Sequence, residues 1–501
     1  MKKKLVSLLL VATMAASMFA GCGAKDAGNS ANASNENTGT QTQGEQQEAP
    51  KEVEKISIYV PTAGKTEDLA AVMEAVNKIS VPEIGVEVEF NAFEFGQWFK
   101  QYPMLLSGDE ADIVANYGGY LSGVSQEAFY DVKDLLQEYG KDIVAMEGDY
   151  LKSGEINGAQ YAVPIYAGYS WTMGIIYRKD VVEELGLTDK VAAVKTLADW
   201  GAILEEVKNK KPEMTPYVTI NGSQAPNFKY GLWDDLGNYY GVLMNAGTSS
   251  EVTNLFETKE YAELCSVMHD WYTKGYTDKD IQTQTDAFQV LTKNDAAFST
   301  IGQGDFNTSF YQTTTCGKDI GVVLLGDSIA RTYNNVTYSV MSTTEHPEAC
   351  VKFMNLWFSN KEVGTLISYG IEGVHYELDE NGMGTYINND PSSCTYHLGS
   401  NLSNINRILW SSENPDYPEL LVEGNNNAVK SVGLGFAFDT ANVANEITAL
   451  DNVCSKYQIG LESGALDPAT ELPVFIEELK KAGIEKVIAE KQSQLDAFLG
   501  K

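Results

Sequence analysis

Between Lys55 and Tyr117 the hydrophobic period of the chain alternates between two residues and about 3.6, the signatures of strand and helix. In KISIYV (55–60), Ile56, Ile58 and Val60 alternate and predict a strand. TEDLAAVMEAVNKI (66–79) sets Leu69, Val72, Met73, Val76 and Ile79 on one helical stripe, with Thr66 placed to cap it. GVEVEF (85–90) returns to strand through Val86, Val88 and Phe90, a helix runs from Trp98 to Leu106, and ADIVANY (111–117) is a short buried strand. Right-handed crossovers turn that β-α-β-α-β order into a parallel sheet covered by helices. Ligands of such sheets bind beyond the carboxyl ends of the strands, where the loops here read PTAGK (61–65) and NYGGY (116–120).

Further along, GEINGAQYAVPIYAG (154–168) combines a turn at Gly158 with an exit through Val163-Pro164-Ile165, and predicts a crossing into a second lobe that opens at GYSWTMGIIYRKDVV (168–182). Helices are expected at 196–210 and 258–275, and strands at AAFSTIGQGD (296–305) and IGVVLLG (320–326). The stretch 346–378 reads as a long helix, a shorter one and a loop. The last region, 471–500, carries two amphipathic stripes divided at Gly483. There is no repeat at a solenoid period.

The amino terminus has a different texture. Lys2-Lys3-Lys4 and the apolar LVSLLLVATMAASMF have the build of a secretory signal and are short of the roughly 20 residues a spanning helix needs. MFAGC (18–22) resembles the lipobox of bacterial lipoproteins, in which the cysteine, here Cys22, is lipidated and becomes the first residue. Phe19 stands where leucine is usual, and an ordinary signal with a chance cysteine is the plain alternative. From Gly23 to Pro50 no aromatic, Val, Ile, Leu or Met occurs, so this stretch cannot bury enough surface to offset its ordering entropy and is expected to be a leash.

About 450 residues remain, enough for two or three domains. Their acidity, a net −33 that becomes −36 once the signal's three lysines are removed, argues against nucleic acid and against an anionic membrane surface; solubility accounts for the charge itself. Cys265, Cys316, Cys350, Cys394 and Cys454 are an odd number without C-x-x-C spacing, which fits buried apolar residues and neither a disulfide framework nor a zinc site.

In order, the lipobox, the polar leash, the strand–helix–strand opening, LLSGDEADIV, INGAQYAVPI, GIIYRKDVVEELGL and HPEACVKFMNLWFS resemble family 1 extracellular solute-binding proteins, the maltose-binding-like lipoproteins of ABC sugar importers. FAFDTANVANEITALDNV and IAEKQSQLDAF resemble the C-terminal extension of one branch of Gram-positive lipoproteins. The resemblance implies an α/β, two-lobed periplasmic-binding-protein-like fold with a hinge and a ligand cleft. It divides the chain into a signal (1–21), a lipidated tether (22–50), a first lobe (55–165 and 326–395), a second lobe (166–325), and a mostly helical segment (396–501) packing on the second lobe. It implies a monomer on the extracellular face of the cytoplasmic membrane, attached through its lipid alone, that hands a carbohydrate to an ABC permease. No cofactor, metal or catalysis is expected.

Sugars offer apolar C–H faces and rims of hydroxyls, so their binders pair flat aromatic rings with fixed polar partners. By family position Tyr117 and Tyr120 follow the strand of the first lobe, and Trp171 lies where the second lobe reaches the ligand, with Tyr166 and Tyr169 as rivals for that place. Trp233 and Asp234 form an aromatic–acid pair in YGLWDDLGNYYG. Gln303 and Asp305 follow a strand where the family often has an aromatic; Glu372 lies between glycines, and Trp410 is a late platform. Each has a plainer alternative: core packing for the tryptophans, an ordinary loop for Tyr117, a turn for Asp305, a solvated acid for Glu372. Asp234, Asp235, Asp305 and Glu372 could also serve a glycoside hydrolase, and a peptide binder of the same fold is the closer rival. The four histidines show no H-E-x-x-H, and neither a G-x-S-x-G elbow nor a phosphate loop is present.

Overall fold

The structure, a computed structural model, describes residues 53–220, 233–332 and 335–501. The signal, Cys22 and the tether lie outside the described residues. In chain order its main strands are β1 (Glu54–Thr62), β2 (Val86–Glu94), β3 (Ile113–Tyr117), β4 (Val163–Pro164), β5 (Ser170–Arg178), β6 (Thr215–Tyr217), β7 (Ala297–Gly304), β8 (Ile320–Ala330), β9 (Val336–Val340) and β10 (Val429–Lys430). They make two five-stranded sheets, ordered β2-β1-β3-β9-β4 and β10-β8-β5-β7-β6.

The first sheet is parallel over β1–β3, as the alternating pattern predicts, with β9 and β4 antiparallel at its far side. Helix α1 (Leu69–Ile84) buries Val72, Met73 and Val76 against it. Thr66 does not cap this helix: Asp68 occupies the N-cap without a side-chain hydrogen bond, while Thr66 bridges to Tyr396. Asn157 and Gly158, both with positive φ, close the tight hairpin that leads to β4, as a two-residue primed turn requires. In the second sheet, alternate residues of β5 divide between two cores, Met173, Ile175 and Tyr177 on one face and Ile176 on the other. Each fully buried side chain of this size stabilises the fold by roughly 1.5–3 kcal/mol.

The core of the first lobe draws on Ile56–Tyr169 and Ala330–Leu434, and that of the second on Met173–Leu325 and Phe436–Leu495. This corrects one expected boundary: residues 396–434 pack with the first lobe, through Tyr396, Leu398, Leu402, Leu421 and Leu434, and only from Phe436 does the chain join the second. Past that point comes the helix Ala444–Glu462, and then Pro468–Ala482 and Ile484–Phe498 follow the two expected stripes, parted by Gly483 at φ 101°.

Among the described residues, three stretches therefore lie where the chain passes between the lobes: 165–169, 331–332 and 428–435. They are tied to one another and to the helix Tyr417–Asn427. Buried Asn425 accepts from the Tyr169 amide (2.9 Å) and donates to the Ala167 carbonyl (2.9 Å). Thr332 donates to the Gly433 carbonyl (3.0 Å) and accepts from the Gly435 amide (2.8 Å).

Candidate functional site

A cleft of about 340 Å³ opens at the carboxyl end of the first sheet. Its floor is the end of β1 and the loop after it, Pro61–Lys65; Phe95 and Tyr117 flank it, and the returning chain supplies Tyr386, Pro391, Cys394 and His397–Ser400. This is the position predicted by the strand order, with the PTAGK loop at its centre.

Local hydrogen bonds hold the two walls together. Thr62 donates to the Leu398 carbonyl (2.8 Å) and accepts from the Gly64 amide (2.9 Å), Ser400 donates to the Pro61 carbonyl (3.0 Å), and the His397 amide donates to the Lys65 carbonyl (2.8 Å). Gly64 approaches so closely that a Cβ there would come within 1.6 Å of the His397 oxygen. The Phe95 and Tyr117 rings meet edge-on at 5.1 Å.

Behind Tyr386 and His397 stands an aromatic group centred on Trp410. Its ring lies 4.9 Å from Tyr369, 5.0 Å from Tyr386 and 5.8 Å from His397. Arg407 and Glu413 brace it as a two-pronged pair (2.7 and 2.6 Å), and the same carboxylate accepts from the Trp410 amide (2.7 Å). Burial would raise the Glu413 pKa, but hydrogen bonds and charge from Arg407 outweigh it and hold the group below its ordinary value. Burial, helped by the Arg407 charge, lowers the pKa of His397, so its ring is neutral near pH 7.

The structure scatters the sequence-predicted residues. Tyr117 lines the cleft, and Trp410 reaches it through Tyr386 and His397. Trp171 lies at the start of β5, half-buried under the Arg331 guanidinium at 5.6 Å. Gln303 is the penultimate residue of β7, in register with Met173. Asp305 builds the following turn, accepting from the Asn307 amide (2.9 Å) and the Thr308 hydroxyl (2.8 Å), as its turn reading had it.

Four expectations are corrected by burial. Tyr120 is 1% exposed, stacks on Phe129 and donates to the Gly154 carbonyl (2.7 Å). Tyr166 packs edge-on to Tyr169 and Phe358 in the first core. Trp233 is 2% exposed within the second core, leaving no face for a sugar. Asp234 is buried beside it and accepts from the Leu236 amide (3.0 Å); burial raises its pKa. Glu372 is exposed, in a turn that bridges to Tyr376. The residues missed were Lys65, Phe95, Tyr386 and His397. Lys65 stood in a loop the strand order had marked, whereas Tyr386 and His397 arrive from over 300 positions away with no local signal. The five cysteines 265, 316, 350, 394 and 454 are all buried thiols. Among the described residues no group of His, Cys, Asp and Glu could hold a metal ion, and no helix is long and apolar enough to cross a membrane.

Residues 83–369 match the family model of the bacterial extracellular solute-binding proteins, and residues 432–500 match a domain of unknown function. The second match coincides with the expected C-terminal extension. Over 448 residues the chain is 26% identical to a carbohydrate ABC transporter substrate-binding protein of Streptococcus pneumoniae, covering 87% of this chain and 89% of that one. Lipoprotein LipO of Bacillus subtilis is 24% identical over 428 residues, with 80% and 78% covered. Among solved structures, the N-glycan transport solute binding protein of Streptococcus pneumoniae superposes with a TM-score of 0.76 at 23% identity, covering 89% of this chain and 99% of that one. A solute-binding protein of Bifidobacterium longum infantis that binds HMO gives 0.61 at 16%, with 89% and 99% covered. These two are likenesses of fold.

Proposed function

We propose, from the premise that this chain belongs to the family of bacterial extracellular solute-binding proteins, that it captures a carbohydrate, an oligosaccharide, between its lobes and delivers it to the permease of an ABC importer. The observation that carries this reading is the cleft itself, where the rings of Phe95, Tyr117 and Tyr386 stand among hydroxyls and main-chain groups at the carboxyl ends of parallel strands. The relatives support it: a carbohydrate transporter's binding protein, and an N-glycan binder crystallised with Man1GlcNAc and Man5GlcNAc. Tyr117 and Trp410 serve the first-lobe side of the ligand; Trp171, Gln303 and Asp305 serve the second. The three crossing segments let the lobes close as a hinge. ATP is hydrolysed by separate subunits, and this chain performs no catalysis.

Cys22 carries diacylglycerol and holds the folded body at the outer face of the cytoplasmic membrane on the 22–50 leash, whose coil dimensions give a reach of roughly 30 Å. The support for this is the sequence of the signal and the leash. Cys22→Ser is expected to release the protein or leave its precursor uncut; wild-type protein found in the medium with an unmodified Cys22 thiol would refute the anchor.

The ligand reading is tested by calorimetry of the wild-type protein against mono- and oligosaccharides and, in parallel, short peptides. At least one oligosaccharide is expected to bind with a Kd on the order of 1 μM, about −8 kcal/mol, and to raise the melting temperature. Peptide binding with no response to any glycan would overturn it.

A further inference from the structure

We propose that the sugar unit held in the first-lobe cleft carries a carboxylate, as a hexuronate or a sialic acid does, and that Lys65 selects for it; this rests on the carbohydrate reading above. The chain holds 69 acidic side chains against 36 basic ones, so a pocket drawn at random from its residues would hold carboxylates about twice as often as cations. This cleft reverses the ratio. Among the described residues that line it there is no Asp, Glu, Asn or Gln, and there is one lysine, Lys65.

That ammonium is held by main-chain oxygens. It donates to the Cys394 carbonyl at 2.7 Å and reaches the Ser392 carbonyl at 3.4 Å, which leaves part of its three-donor capacity for the cleft. Asp390 lies near enough to feel its charge, but its carboxylate is engaged by the Ser392 amide (2.9 Å) and hydroxyl (2.7 Å), which do most to hold its pKa low. The position of Lys65 is fixed through its own carbonyl, bonded to the His397 amide, and through the Gly64 contact behind it.

A neutral sugar brings hydroxyl protons that need acceptors, and in most clefts carboxylates and side-chain amides supply them. Here the acceptors include the Thr62 and Ser400 oxygens, whose own protons go to Leu398 and Pro61 and which therefore offer a ligand no donor. A sugar carboxylate instead brings acceptors to an ammonium, and charge-assisted hydrogen bonds of that kind are about twice as strong as neutral ones. Charges farther than about 8 Å are largely screened at physiological salt, so the acid that acts on Lys65 is the nearby Asp390, which stays ionised and offsets part of its charge.

Calorimetry of the full folded chain with matched pairs tests the proposal: trigalacturonate against its methyl ester, and sialyllactose against lactose. One acid is expected to bind at least tenfold more tightly than its neutral partner, and which pair shows the preference identifies the source of the carboxylate. The preference should fall to near one-to-one in Lys65→Met, return in Lys65→Arg, and weaken between 50 and 500 mM salt. Neutral glycans bound as tightly as acidic ones, or a preference unmoved by Lys65→Met, would overturn the inference and leave the carbohydrate reading standing. Failure of every glycan, acidic or neutral, to bind protein with an intact melting transition would overturn both.

Discussion

At the scale of single residues, the cleft depends on one absent side chain. Gly64 lets the loop after β1 lie against the chain at His397, where a Cβ would come within 1.6 Å of a carbonyl oxygen. A backbone oxygen cannot rotate out of the way as a side chain can, so Gly64→Ala must part the two walls and stretch the bonds from Thr62 to Leu398 and from His397 to Lys65. The expected cost is about 1–3 kcal/mol of stability, the usual range for overpacking, read by urea unfolding. A glycan bound by wild type should lose at least tenfold in affinity. Unchanged stability together with unchanged affinity would show that the walls separate freely. Arg407 and Glu413 act on the other side of the site, where a half-buried, two-pronged pair fixes Trp410 through its amide.

At the scale of elements, what could be read from the sequence followed from period and turn chemistry. The parallel β1–β3 arrangement, the paired helices after His346 and the break at Gly483 were legible because apolar spacing and turn residues determine them locally. The same logic placed the cleft at the carboxyl end of β1. It could not supply the opposite wall. Residues 386–400 are short turns and extended chain with no periodic pattern, and their position is set by long-range bonds such as Thr395 to Asp68 and His397 to Lys65. Trp233 misled for a related reason: an aromatic beside acids and glycines reads as a loop, yet the main chain at Asp234 pairs with Leu243 and turns the indole inward. The sequence pattern reveals which segments are regular, and it leaves unsaid which irregular segments the fold returns to its site.

At the scale of the whole molecule, two buried acids and a buried lysine set how stability responds to pH. Glu147, 1% exposed and bonded to the Tyr169 hydroxyl (2.6 Å) beside the first crossing, has its pKa pushed up to about 8 by burial, against a partial opposing effect of that hydrogen bond. Its folded value lies above its unfolded one, so between about pH 4.5 and 8 the folded state holds more protons. Stability from this group is complete at the acid end and is lost as pH rises toward 8, by up to roughly 1.4 kcal/mol per pH unit. Glu462 has the same sign, also at about 8. Lys491, lowered to about 7 by burial, has the opposite sign and gives stability back as pH rises above 7. Melting curves of wild type and Glu147→Gln from pH 5 to 8 isolate the hinge acid: the variant should gain on wild type steadily as pH rises, and parallel curves would show that Glu147 is already ionised in the fold. The three crossings have a consequence in time as well as in space. Because the second core is closed by Phe436–Leu495 while four of its five strands lie between Ser170 and Ala330, a ribosome must pass residue 436 before that lobe can finish folding. Until then the incomplete half stays open, in a form that chaperones can still handle as unfolded chain.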